Sequence, residues 1–221
     1  MNYLAHGYRF LDNPLFAAGT AVPDWLGVVD RRVRVRSRRL KAATGQFDES
    51  TNEVITGILQ HLSDDDVFHR NPTFLMLESE IGRSFRRLMP DPYDHRPPFL
   101  GHIVTELMLD AWIAEQNPSI LPQYYDAIRS VDEEFIQGTV NQVATQQTSQ
   151  LAYFIRKFCE IEFLYDYLDD ERMLVRLNQV LHRVKLPVME AECTNVLGEA
   201  RTLLRSHGKS LLAAVETVGG P

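Results

Sequence analysis

The sequence has few cysteines, no long apolar runs and few strand-forming patterns, and each absence excludes a class of protein. Its two cysteines, Cys159 and Cys193, lack the spacing of a metal motif, so we expect reduced, buried side chains without chemistry. No apolar run approaches the ~18 residues that a membrane span requires. The N-terminal segment lacks the basic and apolar regions of a secretory leader. We therefore expect a cytoplasmic protein without a membrane span.

Helical spacing of apolar residues dominates the chain, whereas the alternation typical of strands is confined to Val33 and Val35 between arginines. We predict an all-α bundle of one domain, residues 1–221, in which 1–116 carry the functional site and 117–221 supply supporting helices. A break is expected between Gln142 and Gln150. The predicted helices include 14–29, 119–147, 148–168, 171–184, 187–206 and a short one ending before Gly219.

Two segments repeat a spacing of four residues between histidine and carboxylate side chains. His61, Asp65 and His69 form the first series. The second series is His102, Glu106 and Asp110. On a helix, residues four apart lie on one face, so each series would present its side chains together. Two such faces packed against each other would bring imidazole nitrogens and carboxylate oxygens to one point, as a divalent metal requires.

The second series lies in a segment that is apolar nearly all round, which is typical of a buried helix. Buried acids such as Glu106 and Asp110 cost several kcal/mol each unless they are paired or bind a metal. Arginine provides the alternative to a metal. In that interpretation, the two series are neutralised by Arg70, Arg83 or Arg86, and no metal is needed.

The chain carries a net charge of −7, yet the stretch from Arg31 to Lys41 has seven positive charges and no negative one, which leaves −14 for the remainder. Such a cluster is either a solvated loop or a surface for an anionic partner. The stretch has no aromatic residues that could stack on bases, and the acidic remainder would repel a nucleic-acid backbone. An acidic protein or a phosphate-bearing substrate therefore fits better. The arginines concerned are Arg31, Arg32, Arg34, Arg36, Arg38 and Arg39.

Four short motifs resemble those of the acyl carrier protein phosphodiesterase family, which is related to the His-Asp (HD) metal phosphohydrolases. The chain opens Met1-Asn-Tyr-Leu-Ala-His6, where the family has Met-Asn-Phe-Leu-Ala-His. Ala21-Val-Pro-Asp24-Trp is similar to the family's Ala-Asp-Phe. The His61, Asp65 and Pro72 spacing is similar to Leu-His-x-x-x-Asp-x-x-x-Asp-x-x-Pro, offset by one residue. The segment from Glu106 to Ile113 corresponds to Asp-x-x-x-Asp-His-Phe-Leu.

The chain departs from the family pattern at three positions. His69 and Glu106 each replace a family aspartate, and both retain the ability to bind a metal. Ala111 replaces the family's last histidine, which weakens the inference to the family's own reaction. His102, one turn before Glu106, offers an imidazole in its place.

The resemblance implies an HD-like helical fold and hydrolytic release of phosphopantetheine from holo-acyl carrier protein with a divalent metal. His69 is the expected general base, and Asp24 is the second expected catalytic residue and the family's metal-site acid. The metal would be manganese, iron or zinc. Carrier proteins are acidic, so the arginine cluster would be their docking surface. The expected metal-site residues are Asp24, His61, Asp65 and Asp110, with His6, His102 and Glu106 as further ligands or orienting groups.

Two other functions stay open at this point. The first is a zinc-dependent phospholipase C-like hydrolase, which is also all-α and also uses scattered histidine and aspartate ligands. The second is a non-catalytic interaction protein in which arginines neutralise both series.

Overall fold

A computed structural model describes residues 1–216, and these residues form helices joined by short loops, with no strand among them. The predicted all-α fold is confirmed. None of the helices in this part of the chain combines the length and apolarity that crossing a bilayer requires. Two 3₁₀ segments, Tyr8–Phe10 and Phe163–Leu168, accompany the α-helices. The α-helices are α1 Tyr3–Gly7, α2 Pro14–Val29, α3 Ser37–Ala43, α4 Glu49–Phe68, α5 Pro72–Leu88, α6 Arg96–Gln116, α7 Ile120–Arg129, α8 Glu133–Val143, α9 Leu151–Ile161, α10 Asp170–Arg183 and α11 Cys193–Glu216.

Several helices begin at a side-chain cap that the sequence contains. Asn13 accepts a hydrogen bond from the Phe16 amide, and Pro14 occupies the first turn of α2. Asn71 and Pro72 repeat this arrangement at the start of α5. The cap satisfies an amide that has no partner within the helix, and proline has no amide to satisfy there.

The predicted boundaries fail where short polar segments interrupt apolar periodicity. Residues 119–147 contain two helices, because Asp132 accepts from two amides and begins α8. Residues 148–168 also do not form one helix, since α9 ends where Glu162 adopts a left-handed φ of 50°. The expected break between Gln142 and Gln150 is confirmed, because α8 ends at Val143 and α9 begins at Leu151.

The basic stretch from Arg31 to Lys41 is partly helical, because α3 begins at Ser37. One further expectation needs correction. The helix predicted at 187–206 begins later, at Cys193, and continues to Glu216, so the expected short final helix is part of α11. Its predicted end before Gly219 lies outside the described residues.

The chain divides into two compact units, and the single-domain organisation stays a prediction. The first unit comprises residues 2–66 and 119–162. Within it, α2 and α4 meet in backbone contact at two glycines. A Cβ atom placed on Gly19 would lie 2.4 Å from the Val54 carbonyl oxygen, and one on Gly57 would lie 2.2 Å from the Phe16 carbonyl oxygen. Only glycine permits this approach, which brings the buried face of α4 against α2.

The second unit comprises Met1, residues 67–118 and, among the described residues, 163–216. Here α5 and α6 also pack closely, since a Cβ on Gly101 would lie 2.2 Å from the Glu78 carbonyl oxygen. The predicted burial of the α6 segment is confirmed by Leu100, Val104 and Leu109, each with no exposed surface. Arg201 of α11 joins neighbouring elements through Asp170 at 2.6 Å and Glu115 at 2.9 Å.

We predict that Gly57→Ala destabilises the protein by about 1–3 kcal/mol, because the added methyl group overlaps backbone that cannot move aside freely. Gly138→Ala is the matched control, because Gly138 lies within α8 and a Cβ there meets no atom within 4 Å. That change should stabilise by up to about 1 kcal/mol. Urea denaturation followed by circular dichroism measures both. Equal midpoints for the two variants would contradict the close packing of α2 and α4.

Candidate metal centre

His6, His61 and Asp65 form a compact cluster in the first unit. His61 and Asp65 lie one turn apart on α4, as their spacing predicted, and α1 contributes His6. One ligand atom from each of the three residues lies within 4.8 Å of the others. Nε2 of His6 is 3.3 Å from Oδ1 of Asp65, and Nε2 of His61 is 3.4 Å from Oδ2. Each imidazole therefore faces a different oxygen of the same carboxylate.

The orientation of His61 is fixed by the backbone of α2. Its Nδ1 lies 2.8 Å from the Thr20 carbonyl oxygen, and both groups are buried. A carbonyl oxygen only accepts, so Nδ1 must carry the hydrogen that it donates. In the neutral ring, Nε2 then holds a lone pair directed at the Asp65 side of the site. Histidine ligands of metals are commonly held in this way by a backbone carbonyl.

His6 is completely buried, and neither of its ring nitrogens makes a hydrogen bond within the described part of the chain. Its ring stacks on that of His61, with centroids 3.8 Å apart and an interplanar angle of 24°. Two stacked imidazolium cations at this distance would repel each other strongly. A cation bound between the two rings and Asp65 would instead satisfy lone pairs on both histidines.

Asp64 lies behind His6 and was missed in the sequence analysis. Its Oδ2 is 3.8 Å from Nδ1 of His6, and the carboxylate is fully buried. Arg9 donates to Oδ2 at 2.7 Å, and the Gln60 amide donates to Oδ1 at 2.7 Å. Asp64 is thus held by Arg9 and Gln60, and it places a buried carboxylate on the Nδ1 side of His6. Three consecutive aspartates at positions 64–66 gave no signal that the first one points inward.

Burial alone would raise the pKa of the Asp65 carboxyl, but its contacts with the His6 and His61 rings outweigh burial and hold that pKa well below its usual value. The carboxylate is therefore ionised at neutral pH. It is also 31% exposed, whereas His6 and His61 are buried, so the cluster opens toward solvent on the Asp65 side. Two imidazole nitrogens and one carboxylate with an open side can bind a divalent metal ion.

The remaining candidate ligands lie elsewhere. Helix α4 ends at Phe68, so His69 is not on the helical face that carries His61 and Asp65. His69, His102 and Glu106 form a second cluster, in the second unit, whose ligand atoms also lie within 4.8 Å of one another. Asp24 on α2 and the buried Asp110 on α6 belong to neither of these clusters of described residues, and their role as ligands stays a prediction.

In the non-catalytic interpretation, arginines neutralise the acids of the two series. Arg83 and Arg86, two of the three arginines expected to do so, have other partners. Arg83 lies 3.8 Å from Glu80 on its own helix. Arg86 donates to the carbonyl oxygens of Asp91, Pro92 and Asp94. Asp65 contacts His6 and His61. Glu106 contacts His69 and the N-terminal ammonium group.

The cysteines lie outside both clusters. Both are free; Cys193 is buried as expected, whereas Cys159 is half-buried. Burial raises the pKa of the Cys159 thiol to about 11, which leaves little reactive thiolate at neutral pH.

Comparison with family models, curated proteins and solved structures finds no match to this chain. The family resemblance in the short motifs therefore stays a prediction.

We predict that Asp64→Asn weakens metal binding at the His6 cluster about 10- to 100-fold, because the charged group behind His6 is lost while the three ligands remain. Asp66→Asn is the matched control, since Asp66 is exposed on the same helix. Calorimetric titration with Mn²⁺ or Zn²⁺ measures both affinities. Equal affinities for the two variants would show that Asp64 does not orient His6.

Proposed function

We propose that the chain is a metal-dependent phosphodiester hydrolase whose metal is held by His6, His61 and Asp65. One observation supports this proposal most directly: two buried, stacked imidazoles face the two oxygens of one ionised carboxylate, and His6 has no hydrogen bond. Pairing through protons would require His61 to be a buried imidazolium, because its Nδ1 hydrogen is already donated to the Thr20 carbonyl. A divalent cation accepts lone pairs from the same atoms without a proton on Nε2 of either ring.

The protein residues would bind and orient the metal. His6, His61 and Asp65 would supply three ligand atoms. The Thr20 carbonyl holds the His61 ring, and the Asp64 carboxylate lies 3.8 Å from Nδ1 of His6. Manganese, iron and zinc all accept such a set. A bound metal would polarise a phosphate oxygen and lower the pKa of a water molecule. Because Asp65 is 31% exposed, substrate and water could approach the metal from the Asp65 side.

Asp24 is our candidate for proton transfer in this unit. It lies four residues after Thr20 on α2, so the two residues share one helix face. The Thr20 carbonyl accepts from His61, so this part of α2 lies beside the candidate centre. A carboxylate on this helix could accept a proton from an attacking water. His69, the expected general base, lies in the second unit 2.9 Å from Glu106, and its catalytic role stays a prediction.

We predict that protein purified without chelator contains metal and that His61→Ala lowers the metal content. His182→Ala is the matched control, because His182 is exposed on α10. At about a hundredfold excess over Kd, a ligand specific for the folded state stabilises by roughly 2.7 kcal/mol, so melting with added Mn²⁺ or Zn²⁺ should separate the two variants. Equal metal content and no thermal shift in any form would contradict the proposal and favour the non-catalytic interaction protein.

The proposed substrate is a phosphodiester borne on an acidic carrier protein, which would dock on the basic stretch. Arg34, Arg36 and Arg38 are exposed, and none has an ion-pair partner within residues 1–216. Other arginines of the stretch are partly engaged, since Arg32 pairs with Asp30 at 3.0 Å. Unpaired guanidinium groups on one segment attract an anionic partner and speed its encounter.

A groove next to this stretch fits the same proposal. It encloses about 520 Å³ between α3 and α4. Lys41 lines it on the α3 side, and Gln60, which donates to Asp64, lines it on the α4 side. A prosthetic arm attached to a docked protein could lie along α4, the helix that carries His61 and Asp65.

We predict that Arg34→Ser, Arg36→Ser and Arg38→Ser together slow hydrolysis of a protein-borne phosphodiester about tenfold or more at low salt, with little effect on a small chromogenic phosphodiester. The salt dependence of the protein reaction should also flatten. A control with the same change in net charge replaces the exposed Arg83, Arg172 and Arg183 by serine. Equal loss on both substrates would instead place the arginines at the reacting phosphate.

A further inference from the structure

The second cluster repeats the ligand composition of the first in a different setting. His69 and His102 both direct Nε2 at the same oxygen of Glu106, at 2.9 Å and 3.4 Å. Their rings are nearly parallel, with centroids 4.9 Å apart and an interplanar angle of 16°. Phe74 contacts both rings edge-on, at 5.1 Å in each case. The imidazole positions are therefore fixed by packing as well as by the carboxylate.

The local fold explains this convergence. His102 and Glu106 lie one turn apart on α6, and His69 lies in the turn that precedes α5. The close approach of α5 and α6 at Gly101 brings Glu78 to 3.4 Å from Nδ1 of His102. A carboxylate behind an imidazole fixes the ring and makes the opposite nitrogen a better ligand. Glu78 thus takes the orienting position that the Thr20 carbonyl takes behind His61.

Glu106 lies among cationic and imidazole groups. Its Oε1 is 3.1 Å from the N-terminal ammonium group and faces both imidazoles, and its side chain is only 13% exposed. A carboxylate with so little exposure needs cationic partners, and a divalent ion would be a further one. The histidines are 32% and 34% exposed, so water can reach positions around the cluster that the protein does not fill.

We propose that His69, His102 and Glu106 form a second divalent-cation site, oriented by Glu78 and independent of the His6, His61 and Asp65 centre. Two imidazoles and one carboxylate suit zinc or another late first-row transition metal rather than magnesium or calcium. Because its imidazoles are exposed, this site exchanges its ion more readily than the buried one. The inference goes beyond the proposed hydrolysis and does not depend on it.

The test is a titration of the full-length, chelator-treated protein with Co²⁺ and then Zn²⁺, followed by calorimetry and by cobalt absorption. We expect two equivalents per chain, one of them bound more weakly. His69→Ala with His102→Ala should abolish the weaker equivalent and retain the other. Asp65→Ala should have the opposite effect. His95→Ala is the matched control, because His95 is exposed in the loop before α6, and it should retain both equivalents.

Glu78→Gln provides a milder second variant that keeps every ligand. It should weaken only the second equivalent, about 10- to 100-fold. Binding that survives the double histidine change and Glu78→Gln unaltered, whatever the number of equivalents in the native protein, would overturn the proposal. The cluster would then be an ion-pair network held together by protons. Failure of the first equivalent alone would count against the proposed hydrolase and not against this site.

Discussion

The hydrogen bond from His61 to the Thr20 carbonyl is the contact on which the candidate centre depends. It decides which ring nitrogen faces Asp65, and without it the imidazole could present either nitrogen. The bond forms only because α2 and α4 approach at Gly19 and Gly57, where any larger residue would overlap backbone. Gly57, one turn before His61, and Gly19, next to Thr20, thus help to determine the chemistry that His61 can perform.

Buried charge around the cluster is balanced in layers. Asp65 faces the imidazoles, Asp64 lies behind His6, and Arg9 with Gln60 satisfies Asp64. The imidazoles offset the burial of Asp65, and Arg9 with Gln60 offsets the burial of Asp64. A buried carboxylate without such partners favours its protonated form. A protonated Asp65 would be a poor ligand, so the outer residues support metal binding without touching the metal.

Sequence reasoning succeeded where a single helix determines the geometry. The spacing of four residues placed His61 beside Asp65 and His102 beside Glu106, because both pairs lie within continuous helices. It failed where two elements meet. Nothing in the spacing shows that α4 ends at Phe68, which removes His69 from the first series, or that His6 rather than a member of the second series joins His61.

Helix boundaries show the same limit. Asp132 and Glu162 interrupt segments whose apolar residues continue at helical spacing, and each does so through local backbone geometry. Asp64 was missed for a related reason. Asp64, Asp65 and Asp66 are identical in type and differ only in the face of α4 on which each side chain lies. The sequence contains the apolar periodicity, but the rotation of α4 about its axis is set by its contact with α2.

The two clusters show how one ligand set acquires different properties from its surroundings. Each combines a histidine and an acid one turn apart with a histidine from an earlier segment. Behind His61 lies a neutral carbonyl oxygen, whereas Glu78 lies behind His102. A carboxylate stabilises the imidazolium form, and the pKa of His102 is raised, chiefly by Glu106 with a contribution from Glu78. Protons therefore compete with a metal for this cluster, because a histidine must lose its proton before its nitrogen can bind a metal.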